Sequence, residues 1–144
     1  MTHTGIDQRL PQALLALRLG VFVVMLMWTL DKFVQPDHAA RVFEGFYGLA
    51  GLGATAFYVL GALQMVLILG FLLGIRKRLT YGLVFLLHGI STLSSYAQYL
   101  NPFENLLFFA AWPMLAACFA LYLLRDADRL FTWASLTGGQ VRGQ

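Results

Sequence analysis

The residues best suited to chemistry in this chain stand inside long apolar stretches. His88 lies near the middle of one of them, and Tyr81, Ser91, Thr92, Ser95 and Tyr99 recur around it. At about 100° per residue, all six fall within an arc of about 100° on a helical wheel. An imidazole titrates near neutrality, and hydroxyls both donate and accept. Such a stripe can hold a carbonyl- or hydroxyl-bearing ligand. It can equally be the glue between two helices, because Ser and Thr bond across helices or back to their own backbone. Gln64 marks the midpoint of the preceding apolar stretch. A chain that reverses near residue 76 brings Gln64 level with His88, where the pair would fix one imidazole tautomer or bind a carbonyl oxygen.

Charged residues in the first apolar stretch add to the candidate set. Arg18 stands near one end and Asp31-Lys32 near the other. Asp31 is turned about 100° from Lys32, so the two do not form a face-to-face pair. Arg18 reads as a snorkelling cation whose stem reaches the interface, whereas Lys32, one turn from Trp28, reads as part of an ordered polar cluster. In the last apolar stretch Pro113 removes the backbone bond to the Phe109 carbonyl, which predicts a kink. Trp112 beside that kink suits a flat ligand such as a quinone ring, and suits plain packing as well. Glu104, at the mouth of the same stretch, reads as a helix-dipole partner. The candidate ligand-binding set is therefore His88, Gln64, Ser91, Thr92, Ser95, Trp112, Arg18 and Lys32. No catalytic residue and no metal ligand set emerges. His88 is the one histidine within an apolar stretch, so a bis-histidine haem within one chain is excluded. The single Cys118 excludes a dithiol pair and a thiolate zinc site.

The elements that must position these groups follow from composition. The chain has 144 residues, 59% of them apolar and 12% charged, with mean hydropathy +0.69. Soluble domains carry about 25% charged residues, and a fold this apolar has too little polar surface to cover itself in water. A soluble enzyme and a nucleic-acid binder are excluded. The net charge of +3 resides mainly in residues at the edges of apolar stretches, which is a topology signal rather than a polyanion-binding patch.

A bilayer core needs about 20 helical residues. Four stretches fit, at 13–33, 54–74, 79–99 and 105–124. The expected fold is an all-α membrane protein in one domain over 1–144, a four-transmembrane-helix up-down bundle with short hairpins at 76–78 and 100–103. The first stretch reads as a retained span rather than a cleaved leader. Arg9, Arg76, Lys77, Arg78, Arg125, Arg129 and Arg142 share one side, against Lys32 and Arg41 on the other. The positive-inside rule then places both termini and a tail over 125–144 in the cytoplasm. Between the first two spans, Pro36-Asp37 reads as a helix start with Asp37 as N-cap. Ala39, Val42, Phe43, Phe46 and Tyr47 follow on one face, with His38, Arg41 and Glu44 on the other. The segment reads either as a short amphipathic helix on the outer leaflet or as a plain connector capping the bundle.

The runs LRLGVFVVMLMWTLDKFVQPDHAARVF and GALQMVLILGFLLGIRKRLTYGLVF resemble the DoxX/DoxD family of small four-helix integral membrane proteins. The matching features are Arg18 entering the first helix, Lys32 leaving it shortly before Pro36, and a glycine-rich second span that ends in a basic turn. The resemblance covers roughly 13–124. It implies a small subunit of a redox or respiratory complex in the bacterial inner membrane, close to quinone chemistry. It also implies a departure, because the family often carries a glutamate in the second helix where this chain has Gln64. The expected partners are the lipid bilayer and other membrane or redox subunits, or further copies of the chain, with quinone as the one expected cofactor. Two other readings stay open: a non-catalytic structural or assembly protein, and a small transporter.

Overall fold

A computed structural model describes residues 3–138. Arg142 and the rest of the tail over 139–144 lie outside the described residues. Those described form helices and turns with no strand among them: α1 (His3–Val34), α2 (Pro36–Tyr47), α3 (Ala54–Leu72), α4 (Lys77–Ser94), α5 (Tyr96–Tyr99), α6 (Ala111–Leu123) and α7 (Trp133–Leu136). Two 3-10 segments, Pro102–Glu104 and Leu106–Ala110, lead into α6. Three segments are long and apolar enough to cross a membrane: Gly5–Val34, Ala54–Leu72 and Leu106–Leu123.

The four long helices close a ring. α1 packs on α3, α3 on α4, α4 on α6, and α6 back on α1. Its core is made of Leu14, Val21, Met25, Ile68, Phe71, Tyr81, Val84, Cys118 and Leu121. On α1 the buried residues Leu14, Arg18, Val21, Met25, Thr29 and Lys32 recur every three or four positions, which gives one inward stripe on a helix otherwise apolar all round. Gly61 lets α1 and α3 approach closely, since a Cβ there would stand 2.8 Å from the Phe33 ring and 3.3 Å from Lys32 Cβ. Gly61→Leu should therefore cost about 1–3 kcal/mol through overpacking, readable as a lowered unfolding temperature in detergent; an unchanged temperature would contradict the close approach.

Local chemistry explains where the helices depart from the sequence expectation. α2 begins with Gln35 as N-cap and Pro36 at the first helical position, so Asp37 lies in the first turn and is not the cap. It ends at Gly48, whose left-handed backbone (φ 68°) donates to Glu44 while Leu49 donates to Phe43, at 3.1 Å each, a glycine C-cap. The turn between α3 and α4 spans 73–76, and Lys77 is already helical. α4 stops at Ser94 rather than running on to residue 99. The hydroxyls of Ser94 and Ser95 both donate to the Ser91 carbonyl, at 2.8 and 3.2 Å, and compete with the helix for it. The expected continuous span over 105–124 is a 3-10 segment followed by α6. Pro113 is the third residue of α6, in the first turn, where a missing N–H costs nothing. The irregularity precedes the proline instead of kinking the middle of a span.

Candidate functional site

Between α1, α2, α3, α4 and the entry to α6 lies a cavity of about 1030 Å³. Ligand sites typically occupy about 300–1,000 Å³, mostly apolar with a few convergent polar groups, and this cavity has that composition. α1 contributes Val21, Met25 and Trp28, and α2 closes one side with Val42, Phe43, Phe46 and Tyr47. Leu107, Phe108 and Met114 supply the wall on the α6 side. The position of α2 follows from its apolar face. Ala39 is buried, Phe43 meets Phe57 edge-on at 5.1 Å, and Phe46 stacks near Phe108 at 5.9 Å.

The polar lining comes from the sequence-predicted residues. Gln64, His88, Ser91, Ser95 and Lys32 all face this cavity. Ser95 donates to the Ser91 carbonyl at 3.2 Å. Lys32 Nζ donates to the Trp28 carbonyl at 3.0 Å and stands 5.8 Å over the Phe43 ring. His88 Nε2 lies 3.0 Å from the Ala111 carbonyl. A carbonyl can only accept, so Nε2 carries the proton and Nδ1 is left with a lone pair. Nδ1, the Gln64 amide and the Ser91 hydroxyl have no hydrogen-bond partner among the described residues, and none of the three is a sealed orphan atom.

Three predicted residues lie elsewhere. Thr92 is buried but does not line the cavity. Its hydroxyl donates to the His88 carbonyl at 2.8 Å and lies 3.3 Å from Nε2, which braces the imidazole. Trp112 is half exposed outside the cavity, with its ring 5.6 Å from that of Tyr99. Arg18 is at the other end of the bundle and does not snorkel: it is 1% exposed. Its Nη1 lies 3.2 Å from Asp128 Oδ2 and donates to Tyr81 Oη at 3.3 Å. Tyr81 Oη donates in turn to the same carboxylate oxygen at 2.7 Å, and Nη2 donates to the Leu130 carbonyl. Asp128 belongs to the segment expected as a cytoplasmic tail, yet it is completely buried. The segment after α6 folds back across the end of the bundle. Phe131 takes a left-handed turn (φ 49°), Thr132 and Ser135 form a capping box, and Trp133 N donates to the Leu73 carbonyl at 2.6 Å. Lys77 Nζ donates to the carbonyls of Arg125 and Asp128.

Sequence reasoning missed the Asp31–His38 contact at the α1–α2 corner. Asp31 pairs with His38 of α2 and not with Lys32; His38 Nδ1 stands 2.9 Å from both carboxylate oxygens. His38 therefore turns from the expected polar face toward α1, where its ring also stacks near Trp28, and it joins the cavity wall. The seven-residue interval was the available signal, since it puts the two groups on either side of the Gln35 corner. Among the described residues no cluster of His, Cys, Asp and Glu is arranged to hold a metal ion. Comparison with protein-family models, curated proteins and solved structures finds no match.

Proposed function

We propose that the chain is a four-span integral membrane subunit of a quinone-linked redox complex, and that the central cavity holds a quinone-class ring. The observation that carries this reading is the unspent hydrogen-bonding capacity of Gln64, His88 and Ser91 on the wall of a largely apolar, aromatic cavity. Such a ring needs apolar contact over its faces and a few polar contacts at its oxygens. The Gln64 amide would donate to a carbonyl oxygen, and His88 Nδ1 would accept from a hydroxyl of the reduced form. The ligand supplies reversible two-electron, two-proton chemistry when bound; the protein orients it and keeps water away. The resemblance to the DoxX/DoxD family points the same way, and the amide at Gln64 in place of the family's frequent glutamate fits a member that binds without relaying a proton there.

A fourth span is supported by α4. At about 1.5 Å per residue, its 18 residues give a length near that of a bilayer core. It packs on two segments apolar enough to cross, α3 and Leu106–Leu123, which contains α6. Leu79, Leu83, Leu86, Ile90 and Leu93 face outward, while its polar stripe faces in. In this reading the Arg76–Arg78 end faces the cytoplasm of a bacterium, with α2 at the outer face of its inner membrane.

Protein purified in mild detergent from quinone-containing membranes should retain quinone on lipid extraction, and His88→Ala should retain several-fold less. Absence of quinone from the wild-type extract would defeat the reading. A structural role is the second reading, favoured by the His88–Ala111 bond between α4 and α6. It predicts that His88→Ala lowers the unfolding temperature and leaves any bound lipid unchanged.

A further inference from the structure

We propose that the groove at the basic end of the bundle binds the phosphate of an anionic phospholipid headgroup. The groove has a volume of about 840 Å³ and lies between the α3–α4 turn, the start of α4 and the end of α6. Four cations line it, Arg76, Lys77, Arg78 and Arg125, against one carboxylate, Asp126. Asp126 forms no ion pair with any of them among the described residues, so the positive charge is not neutralised within the chain.

Two of the cations are held and two are available. Arg125 lies 4.9 Å over the Tyr122 ring and donates to the Tyr122 carbonyl at 2.6 Å. Lys77 is fixed by the Arg125 and Asp128 carbonyls. Arg76 and Arg78 donate to no group among the described residues. Arg76 holds a left-handed backbone (φ 45°), a conformation that costs a non-glycine residue free energy and that its surroundings must enforce. The first turn of α4 adds unpaired N–H groups and the positive end of the helix dipole on the same side.

The occupant follows from position. The groove opens where the apolar helices end, at the depth of lipid headgroups, and Leu79 and the Tyr122 ring offer apolar contact beside the cations. A headgroup tethered to the bilayer at that depth is presented at high local concentration, and basic pockets between membrane helices on the cytoplasmic side bind anionic headgroups in this manner. This site requires only that the helices cross a membrane, and is independent of what the central cavity holds.

The test uses the full chain in neutral detergent, titrated with phosphatidylglycerol, phosphatidylcholine and inorganic phosphate, with lipid adducts counted by native mass spectrometry. Phosphatidylglycerol should be retained at least about tenfold over phosphatidylcholine. Arg78→Gln with Arg125→Gln should lose most of that preference, and Arg78→Gln alone, at a side chain bonded to nothing in the chain, should lose several-fold. Arg9→Gln with Arg129→Gln removes the same charge outside the groove and should leave the preference intact. Equal retention of the two lipids would overturn the proposal, as would an equal loss in the Arg9/Arg129 pair. Displacement of phosphatidylglycerol by millimolar inorganic phosphate would assign the groove to free anions and overturn the lipid assignment.

Discussion

Asp128→Ala should destabilise the protein by about 3–5 kcal/mol, the range for removing one partner of a buried ion pair. The magnitude follows from what the substitution strands. Arg18 is 1% exposed and Asp128 not exposed at all, so solvent neither screens the pair nor rescues the survivor. Without the carboxylate, the Arg18 guanidinium keeps only Tyr81 Oη and the Leu130 carbonyl, neutral acceptors facing a full charge, and Tyr81 loses its own acceptor at 2.7 Å. Asp128→Asn preserves an acceptor but not the charge, and should cost about 1.5–3 kcal/mol. Arg18→Leu combined with Asp128→Leu removes both charges and should recover part of the loss, the remainder being about 1–3 kcal/mol for leaving the buried Tyr81 hydroxyl without a partner. A double-mutant cycle on thermal or denaturant unfolding in mild detergent measures the coupling. Asp128→Ala lying within about 0.5 kcal/mol of wild type, the range of ordinary surface changes, would show that the segment after α6 does not seal the bundle.

That pair also marks the limit of what the sequence discloses. Three of the four expected spans were legible because apolar runs of about 20 residues leave few alternatives, and the inward stripe of α4 was legible because a 3.6-residue period is a local property. Tyr81, Thr92 and Ser95 are buried as that period requires. Asp128 was not legible. An acidic residue in a charged segment beyond the last span reads as solvated, and only the left-handed turn at Phe131 and the anchoring of Trp133 on Leu73 return it to Arg18. A weaker signal was present: a cation a full turn inside an apolar helix needs a counter-ion, and acids were available at the same end of the bundle in the segment after α6. His38 escaped for the same reason. Its place on the α2 wheel was right, but the corner at Gln35 rotates the helix so that this position meets Asp31. At Trp112 the failure was different. The expectation of a ring-binding indole assumed a regular helix over 105–124, whereas the residues before Trp112 are 3-10, and the change in residues per turn leaves the indole outside the cavity beside the Tyr99 ring.

Gly20→Trp should reduce the retention of a quinone-class ligand about 100-fold while leaving the fold intact. Gly20 lines the central cavity, and a Cβ added there meets nothing within 4 Å. The new side chain therefore enters open space, and the backbone gains helix propensity, since glycine is about 1 kcal/mol worse than alanine within a helix. Overpacking affects only the bound state. An indole is comparable in size to the ring it would displace, a clash costs about 1–3 kcal/mol, and a ligand pushed away from Gln64 and His88 forfeits its hydrogen bonds in addition, at about 0.5–1.5 kcal/mol each. Together these come to about 2–6 kcal/mol, a range that brackets the 2.7 kcal/mol or so of a 100-fold difference in affinity. Gly20→Ala is the matched control, with the same backbone change and almost no volume; it should unfold at or slightly above the wild-type temperature and bind as wild type does. The two variants separate the competing readings of the polar stripe more cleanly than any change at His88, which removes a ligand contact and the Ala111 bond together. If the stripe only joins helices, both glycine variants behave like wild type in every assay. A tryptophan variant that is stable and still retains quinone at the wild-type level would remove the cavity from consideration as the binding site.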